Sequence, residues 1–474
     1  MERQVTNRTA EPLENDLRQI SETLACPPFF KDEEKRRTKY NDSIELAHQL
    51  FELPNNTKSI SLKTHFLNSL SIIPFYSLDD SLIELIRIRG KILDQCLTHI
   101  ARTLSVSSTG NAKKKVLIFK PSLNLGPELS STIAHFKLLP RLYEVTIACQ
   151  VAPSAEVLSK LNALGFHIGL VGQPLESVIG AIVNYRPDIL IHSTNQSAVN
   201  GTSTIIGALR LAPIQIATTM SPVTTGLSAI DYYLTGFDNE RSGFSKKYTE
   251  NLLFIEGDIN YYDAEFLEGD SSFSLMNDGQ SKRKNNELFV GGNLNKITKD
   301  SLSAWIQILA ENHDSKLVLA PYNPNWQSNY PADEFMRWVR DVCAVKNVDP
   351  NRVEITGPFV SRTPILERIF GSRLYLDSFP YSGAVSILDP IMLNKRFVTL
   401  EGSQARFRQA AIQARRNPLL GTVTQLPLEY VNHAVKLLHQ EASNDIDTQK
   451  SGINNGRMNE QGLSLAILDA LRSI

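Results

Sequence analysis

An α/β protein is predicted: two successive domains, each an open and mostly parallel sheet, behind an all-helical N-terminal region. Three observations carry this. From residue 115 onward short apolar runs alternate with helical stretches. A polar run, EGDSSFSLMNDGQSKRKNNE (268–287), splits that series in two. Before residue 105 the apolar spacing is helical. A chain of 474 residues also exceeds what one ordinary hydrophobic core holds.

Residues 1–110 form the helical region. Apolar side chains recur at three- and four-residue spacing in Ile44, Leu46, Leu50, Leu53 and again in Leu82, Leu85, Ile86, Ile92, Leu93, Leu97. Pro27, Pro28 and Pro54 punctuate the helices, and SVSSTGNAKKK (105–115) reads as a linker. His48, His65 and His99 are scattered over this region and read as ordinary surface or core residues. The first α/β domain (111–283) offers strands VLIFK (116–120), VTIAC (145–149), HIGLVG (167–172), DILIH (188–192) and PIQIAT (213–218), with helices at 154–164 and 175–183. The second (284–474) offers ELFVGG (287–292), KLVLA (316–320), RVEIT (352–356), RLYLD (373–377) and RFVTL (396–400). A polar segment (444–461) precedes a last helix at 463–471, and no solenoid repeat occurs.

Charge is balanced, 49 Lys plus Arg against 50 Asp plus Glu, which argues against a general binder of nucleic acid or membrane surfaces. Cys26, Cys96, Cys149 and Cys343 lie far apart without a C-x-x-C pair, suiting a reducing compartment and neither a disulfide framework nor a zinc site. The polar N-terminal stretch MERQVTNRTAEPLENDLRQ lacks an apolar signal core, and no run of about 18 apolar residues could span a membrane. The expectation is a soluble, cytoplasmic protein.

The most informative segment is LDSFPYSGAVSILDPIMLNKRFVTLEG (376–402). It reads as a strand, a Pro/Ser/Gly turn, a helix opening near Ser386, and a further strand. Such a start leaves the N–H groups of Gly383, Ala384 and Val385 without intrahelical partners, and with the helix dipole they favour an anion. Gly383 has no side chain to hold a phosphate away. Asp389 is placed to accept hydrogen bonds from sugar hydroxyls. Ser386 and Asp389 equally fit an S-x-x-[DE] capping box that serves only the helix itself. Ligands of such sheets bind at the carboxyl ends of strands, where Lys296, Asn323 and Gly383 fall, and a cleft between the two domains is expected.

Three segments carry a resemblance: FVGGNLNKITKDSLSAWIQIL (289–309), LRLAPIQIATTMSPVTTGLSAIDYYLTG (209–236) and GPFVSRTPILERIFGSRLYLDSFPYSGAVSILDPIMLNKRFVTLEGSQAR (357–406). Together, in order and spacing, they resemble the nucleocytoplasmic O-GlcNAc transferases and the cytoplasmic bacterial N-glycosyltransferases that glucosylate adhesins, both of glycosyltransferase family 41 type. The resemblance implies a GT-B fold, two Rossmann-like domains facing a cleft. It implies an inverting enzyme that takes a hexose or N-acetylhexosamine from a UDP-sugar without a metal or other cofactor. The acceptor would be a protein, an adhesin or other secreted protein, modified at Ser/Thr or Asn. No nucleic acid partner and no membrane span are expected, and the helical region is the candidate surface for homo- or hetero-oligomers.

Carried over by position, Lys296 matches the lysine that neutralises the donor pyrophosphate. Asn293 in the same turn, and Ser382, Gly383, Ala384, Val385 and Ser386 at the helix start, complete that grip. Asp389 matches the aspartate on the uridine ribose. Val360 and Arg362 fall where backbone groups bond the uracil edge, and Ile365 would flank the ring. Asn323 and Gln327 are candidate donor contacts, while Tyr322 and Trp326 read as a sugar platform or as loop packing. On the acceptor side stand Ser221, Thr224, Thr225 and Glu128, the last a candidate proton acceptor. Departures accompany the match. The loop PSLNLGPELSS (121–131) lacks the histidines of the relatives, Ser221 replaces another histidine, and Ala384 and Val385 replace more polar residues. These departures keep two alternatives open, transfer to a glycan or lipid-linked saccharide, and a non-catalytic subunit.

Overall fold

The computed structural model describes residues 15–19, 33–70, 73–76, 81–102, 104, 106, 113–197, 201–240, 243–267, 286–322, 332–359, 361–440 and 460–474. The connections expected at 105–115, 268–287 and 444–461 lie largely outside the described residues. Two compact units form. One comprises Met1–Leu123, Leu139–Thr235 and Ser242–Leu253; the other Asn124–Leu138, Gly236–Arg241 and Phe254–Ile474.

The first sheet has seven strands: β1 Lys115–Phe119, β2 Glu144–Cys149, β3 His167–Leu170, β4 Ile189–His192, β5 Ile214–Ala217, β6 Tyr232–Gly236 and β7 Asn251–Ile255. Their spatial order is β3-β2-β1-β4-β5-β6-β7, and β1 through β6 pair in parallel. Every residue of β4 is buried, as a central parallel strand requires. Crossover helices Ala155–Ala163, Leu175–Tyr185 and Thr202–Ala208 connect the strands. The first is capped by Ser154, which accepts from the Val157 N–H at 3.3 Å. N-terminal helices Glu33–Glu52, Thr57–Ser69 and Ser81–Ala101 share this core, where Leu50, Phe66, Leu85 and Ile92 join one apolar cluster with Leu117, Phe119 and Leu190.

Helix Ser81–Ala101 closes on the loop 218–226 at two glycines. A Cβ on Gly90 would collide with the Gly226 carbonyl, and one on Gly226 (φ 71°) with the Ile86 carbonyl. Beside them the fully buried Arg89 donates to the carbonyls of Ser197 (2.7 Å), Gln196 (2.7 Å) and Thr225 (2.6 Å). Glu250, also buried, accepts from the Thr225 N–H at 2.8 Å and the Thr224 hydroxyl at 2.7 Å. Thr225 thus stands between a buried cation and a buried anion.

The second sheet has six strands: β8 Glu287–Val290, β9 Lys316–Leu319, β10 Val353–Ile355, β11 Leu374–Leu376, β12 Phe397–Leu400 and β13 Gly421–Thr424. All pair in parallel, in the order β10-β9-β8-β11-β12-β13. The order therefore reverses between β8 and β11, and a crevice outside their carboxyl ends is where such sheets hold ligands. Helix Lys299–Glu311 opens with a reciprocal capping box between Thr298 and Ser301. Its Trp305 donates to the Tyr430 hydroxyl at 3.3 Å, and Tyr430 to the Asp377 carbonyl at 2.9 Å, carrying a buried polar chain to the end of β11. Within this unit the last helix, Glu460–Arg472, bonds helix Pro127–Phe136 through Ser464 Oγ and the Ala134 carbonyl at 2.7 Å.

Every strand expected from the sequence is present, and three more join them. β6 and β7 are short apolar runs that also suit loops, and β13, GTVT, is an edge strand with one aliphatic side chain. Beside it the buried Glu401 accepts from Arg415 (2.6 and 2.9 Å), Arg408 (3.0 Å) and Gln425 (2.9 Å). Burial opposes its ionisation, but the bonds from Arg415, Gln425 and Arg408 outweigh that and hold its pKa at about 2, below the ordinary 4.5. With a depressed folded-state pKa, the stabilisation is complete above pH 4.5 and is lost as pH falls toward 2. Glu401→Gln should therefore lower stability at pH 7 by on the order of 3 kcal/mol and flatten acid unfolding between these values in urea titrations. An acid limb identical to the native one would contradict this.

Candidate functional site

The site grows from the two loops at the strand-order reversal. Beyond β8, Asn293 caps a 3-10 turn, Leu294–Lys296, by accepting from the Asn295 N–H at 3.0 Å. The turn ends on Lys296, whose ammonium lies 4.7 Å from the centroid of the Tyr381 ring. That ammonium makes no hydrogen bond or ion pair among the described residues. Its side chain is partly exposed, and desolvation pushes its pKa down to about 8, against the pull of Asp377. A half-buried cation with unused donors is a place for an anion.

The loop after β11 corrects part of the sequence reading. The helix does not open near Ser386; it runs Leu388–Met392, a single turn, with Ile387 at its N-cap and no side-chain cap. Pro390 explains the delay, because a helix already formed at Ser386 would drive the proline ring into the Ser386 carbonyl. Asn394, at φ 51°, closes the turn on the other side. The capping box between Ser386 and Asp389 therefore does not form, and the Ser386 hydroxyl bonds Tyr375 instead. So short a turn has little dipole to offer.

The Gly383 N–H is likewise not left open, since it donates to Asp377 Oδ1 at 2.9 Å. A Cβ there would stand 2.6 Å from Ser386 Oγ and 2.9 Å from Asp377 Oδ1, so the loop needs glycine for its own packing. Ser382 is fully buried and accepts from the Ala410 N–H at 3.3 Å, facing inward. Ala384 and Val385 are partly exposed, and their N–H groups make no hydrogen bond among the described residues. Of the amides at 383–386, the Gly383 N–H is thus committed to Asp377, while those of Ala384, Val385 and Ser386 keep no partner among the described residues.

Asp377, which sequence reasoning passed over, organises the loop. Its other carboxylate oxygen accepts from Thr399 Oγ1 at 2.7 Å. Burial pushes its pKa up to about 6, against the Thr399 hydroxyl, the Gly383 N–H and the Lys296 charge. The signal available was an aspartate directly following an apolar strand in α/β alternation. Asn295 was also missed: it is buried, and its amide oxygen has no partner among the described residues.

Arg362 and Asp389 are brought together as a short ion pair, both largely buried. Burial raises the Asp389 pKa, and Arg362 opposes it. The carboxylate expected to face a ribose is therefore already engaged by the residue expected near the base. Ile365 is half-buried against the core containing Leu366 and Ile387. Asn323, Trp326, Gln327 and Val360 lie outside the described residues, and Tyr322 is half-buried.

The remaining candidates do not stand where the sequence pattern suggests. Ser221, Thr224 and Thr225 are buried. Ser221 Oγ accepts from the Gln196 N–H at 2.9 Å, and Thr224 and Thr225 bond Glu250. These hydroxyls tie their own loop, as Ser/Thr-rich turns commonly do. Glu128 stands exposed in the first turn of helix Pro127–Phe136.

No family model matches the chain. Among curated proteins it is similar to SPINDLY of Solanum lycopersicum, described as a probable UDP-N-acetylglucosamine–peptide N-acetylglucosaminyltransferase, with 24% identity over 275 residues, 58% of this chain and 28% of that protein. SPINDLY of Oryza sativa subsp. japonica matches at 24% over 284 residues, again 58% of this chain and 28% of that one. The matched region thus spans little more than a quarter of these relatives. Among solved structures, a mutant O-GlcNAc transferase of Thermobaculum terrenum aligns with a TM-score of 0.61 at 17% identity, covering 99% of this chain and 94% of that one. The fold is that of the GT-B glycosyltransferases. In sequence and in fold the chain is thus similar to O-GlcNAc transferase-like proteins. Among the described residues no helix is long and apolar enough to cross a membrane.

Proposed function

We propose that this chain is an inverting, metal-independent glycosyltransferase that moves a hexose or N-acetylhexosamine from a UDP-sugar to Ser/Thr or Asn of a protein. The unpaired Lys296 ammonium at the strand-order reversal carries the proposal. In the reaction the acceptor oxygen or amide nitrogen attacks the anomeric carbon from the face opposite UDP. The bond from that carbon to the β-phosphate oxygen breaks with its electron pair, and UDP leaves. The acceptor's proton passes to a base, the role proposed for Glu128. Negative charge grows on the departing oxygen, so a fixed ammonium with the Ala384 and Val385 amides stabilises the transition state more than the ground state. Lys296 would do here what a divalent cation does elsewhere.

Calorimetric titration of the full chain with UDP in excess EDTA tests the donor assignment. Saturable binding that is unchanged by added magnesium is expected, with a thermal stabilisation near 2.7 kcal/mol at about 100 times Kd. Absence of binding, or binding that appears only with magnesium or manganese, would overturn it. The internal bonding of Ser221, Thr224 and Thr225 favours a second reading, a nucleotide-binding subunit without transfer. Under that reading UDP binds, but radiolabelled UDP-sugars show neither hydrolysis nor transfer.

A further inference from the structure

We infer that Asp377 is a positioning residue of the donor site: its carboxylate fixes the loop at Gly383 and supplies the counter-charge for Lys296. The inference rests on the donor assignment proposed above. One carboxylate oxygen holds the Gly383 N–H at 2.9 Å and the other the Thr399 hydroxyl at 2.7 Å, so both are locked from opposite sides. Asp377 follows β11 directly, next to the strand that leads to the Lys296 turn. It lies within electrostatic reach of Lys296, yet the two form no direct ion pair among the described residues. The ammonium is therefore supported without being occupied. A direct pair would have to break before a diphosphate could bind, whereas this arrangement leaves the donors of Lys296 unused.

The charged and titratable groups around the pair come from several elements. Tyr381 lies in the same loop under the ammonium, Tyr375 is on β11, and Tyr430 is on helix Pro427–His439. All three phenols have pKa values raised by burial and stay neutral near pH 8. Asp377 is the carboxylate that opposes the desolvation of Lys296, which otherwise drives that pKa down toward about 8. Removing the negative charge lets desolvation act alone, so Lys296 loses its proton at a lower pH.

The test is the pH dependence of UDP affinity, measured by calorimetry on the full chain in EDTA. For the native chain, affinity falls as pH rises through about 8. Asp377→Asn keeps the shape and both hydrogen-bond positions but removes the charge; it should move that midpoint down by about one pH unit. A side chain that served packing alone would leave the midpoint in place. Should Asp377→Asn fail to fold, Asp377→Ser also removes the charge while its hydroxyl can still accept from the Gly383 N–H, and it should move the midpoint in the same direction by a similar amount. An unmoved midpoint in a folded Asp377→Asn, or in Asp377→Ser where that is the folded variant, overturns the inference. Failure of the native chain to bind UDP would instead sink the donor assignment, so the two failures are distinguishable.

Discussion

Lys296→Ala is expected to lower kcat/KM for sugar transfer by about 10²–10³-fold while leaving the thermal transition nearly unchanged. The two halves of this expectation have separate causes. Structurally, the lysine ends a short turn that Asn293 already caps, and its ammonium holds no protein partner apart from the face of Tyr381. An interaction of that kind is worth about 0.5–1 kcal/mol at most exposed sites. Catalytically, the helix beyond Gly383 is one turn long and the Gly383 N–H is committed to Asp377, so neutral dipoles contribute less than the sequence suggested. Under the proposed reaction the ammonium then bears most of the charge developing on UDP. Single-turnover transfer from radiolabelled UDP-sugar, with a parallel melting curve, separates the effects. Activity within threefold of native would exclude Lys296 from the chemistry, and a large loss of stability would mean that it is a structural residue.

Arg89→Met should destabilise the chain by about 3–5 kcal/mol, the cost of removing a buried cation and leaving the buried groups around it uncompensated. The change leaves three carbonyls, of Gln196, Ser197 and Thr225, without their donor, and strands Glu250 in the interior. Desolvation already lowers the Arg89 pKa to about 10, with Glu250 opposing, which shows how little solvent reaches it. Urea unfolding followed by circular dichroism gives the loss. The double variant Arg89→Met with Glu250→Gln should lose less than the sum of the two single changes, because the second removes the charge that the first leaves unpaired. Strict additivity would show that the two groups do not communicate. The loop at stake includes Ser221, Thr224 and Thr225, so the same experiment asks whether the N-terminal helix Ser81–Ala101 holds that loop in shape.

Much of this is legible in the sequence. β1, β4, β8 and β12 are runs of Val, Ile, Leu and Phe bounded by polar residues, and a buried parallel strand has few other ways to look. β13 was not legible, since an edge strand of alternating Gly, Thr and Val is recruited by its neighbour β12 and not by its own composition. Lys296 was picked out through a resemblance, and its position at a strand end in α/β alternation agreed with that. The helix start was misjudged by two residues because the Ser386/Asp389 spacing fits a capping box, while Pro390, four residues after Ser386, forbids one there.

Local order along the chain settled the two parallel sheets, their helices and the loops that could hold an anion, because turn chemistry and apolar period act between near neighbours. Which polar groups are left for a ligand depended on pairings over long separations: Asp377 with Thr399, Arg362 with Asp389, and Thr225 with both Arg89 and Glu250. A hydroxyl or carboxylate looks the same in sequence whether it faces a substrate or a buried partner. Only folding, which desolvates these groups and obliges each buried one to find a partner, separates the occupied from the available.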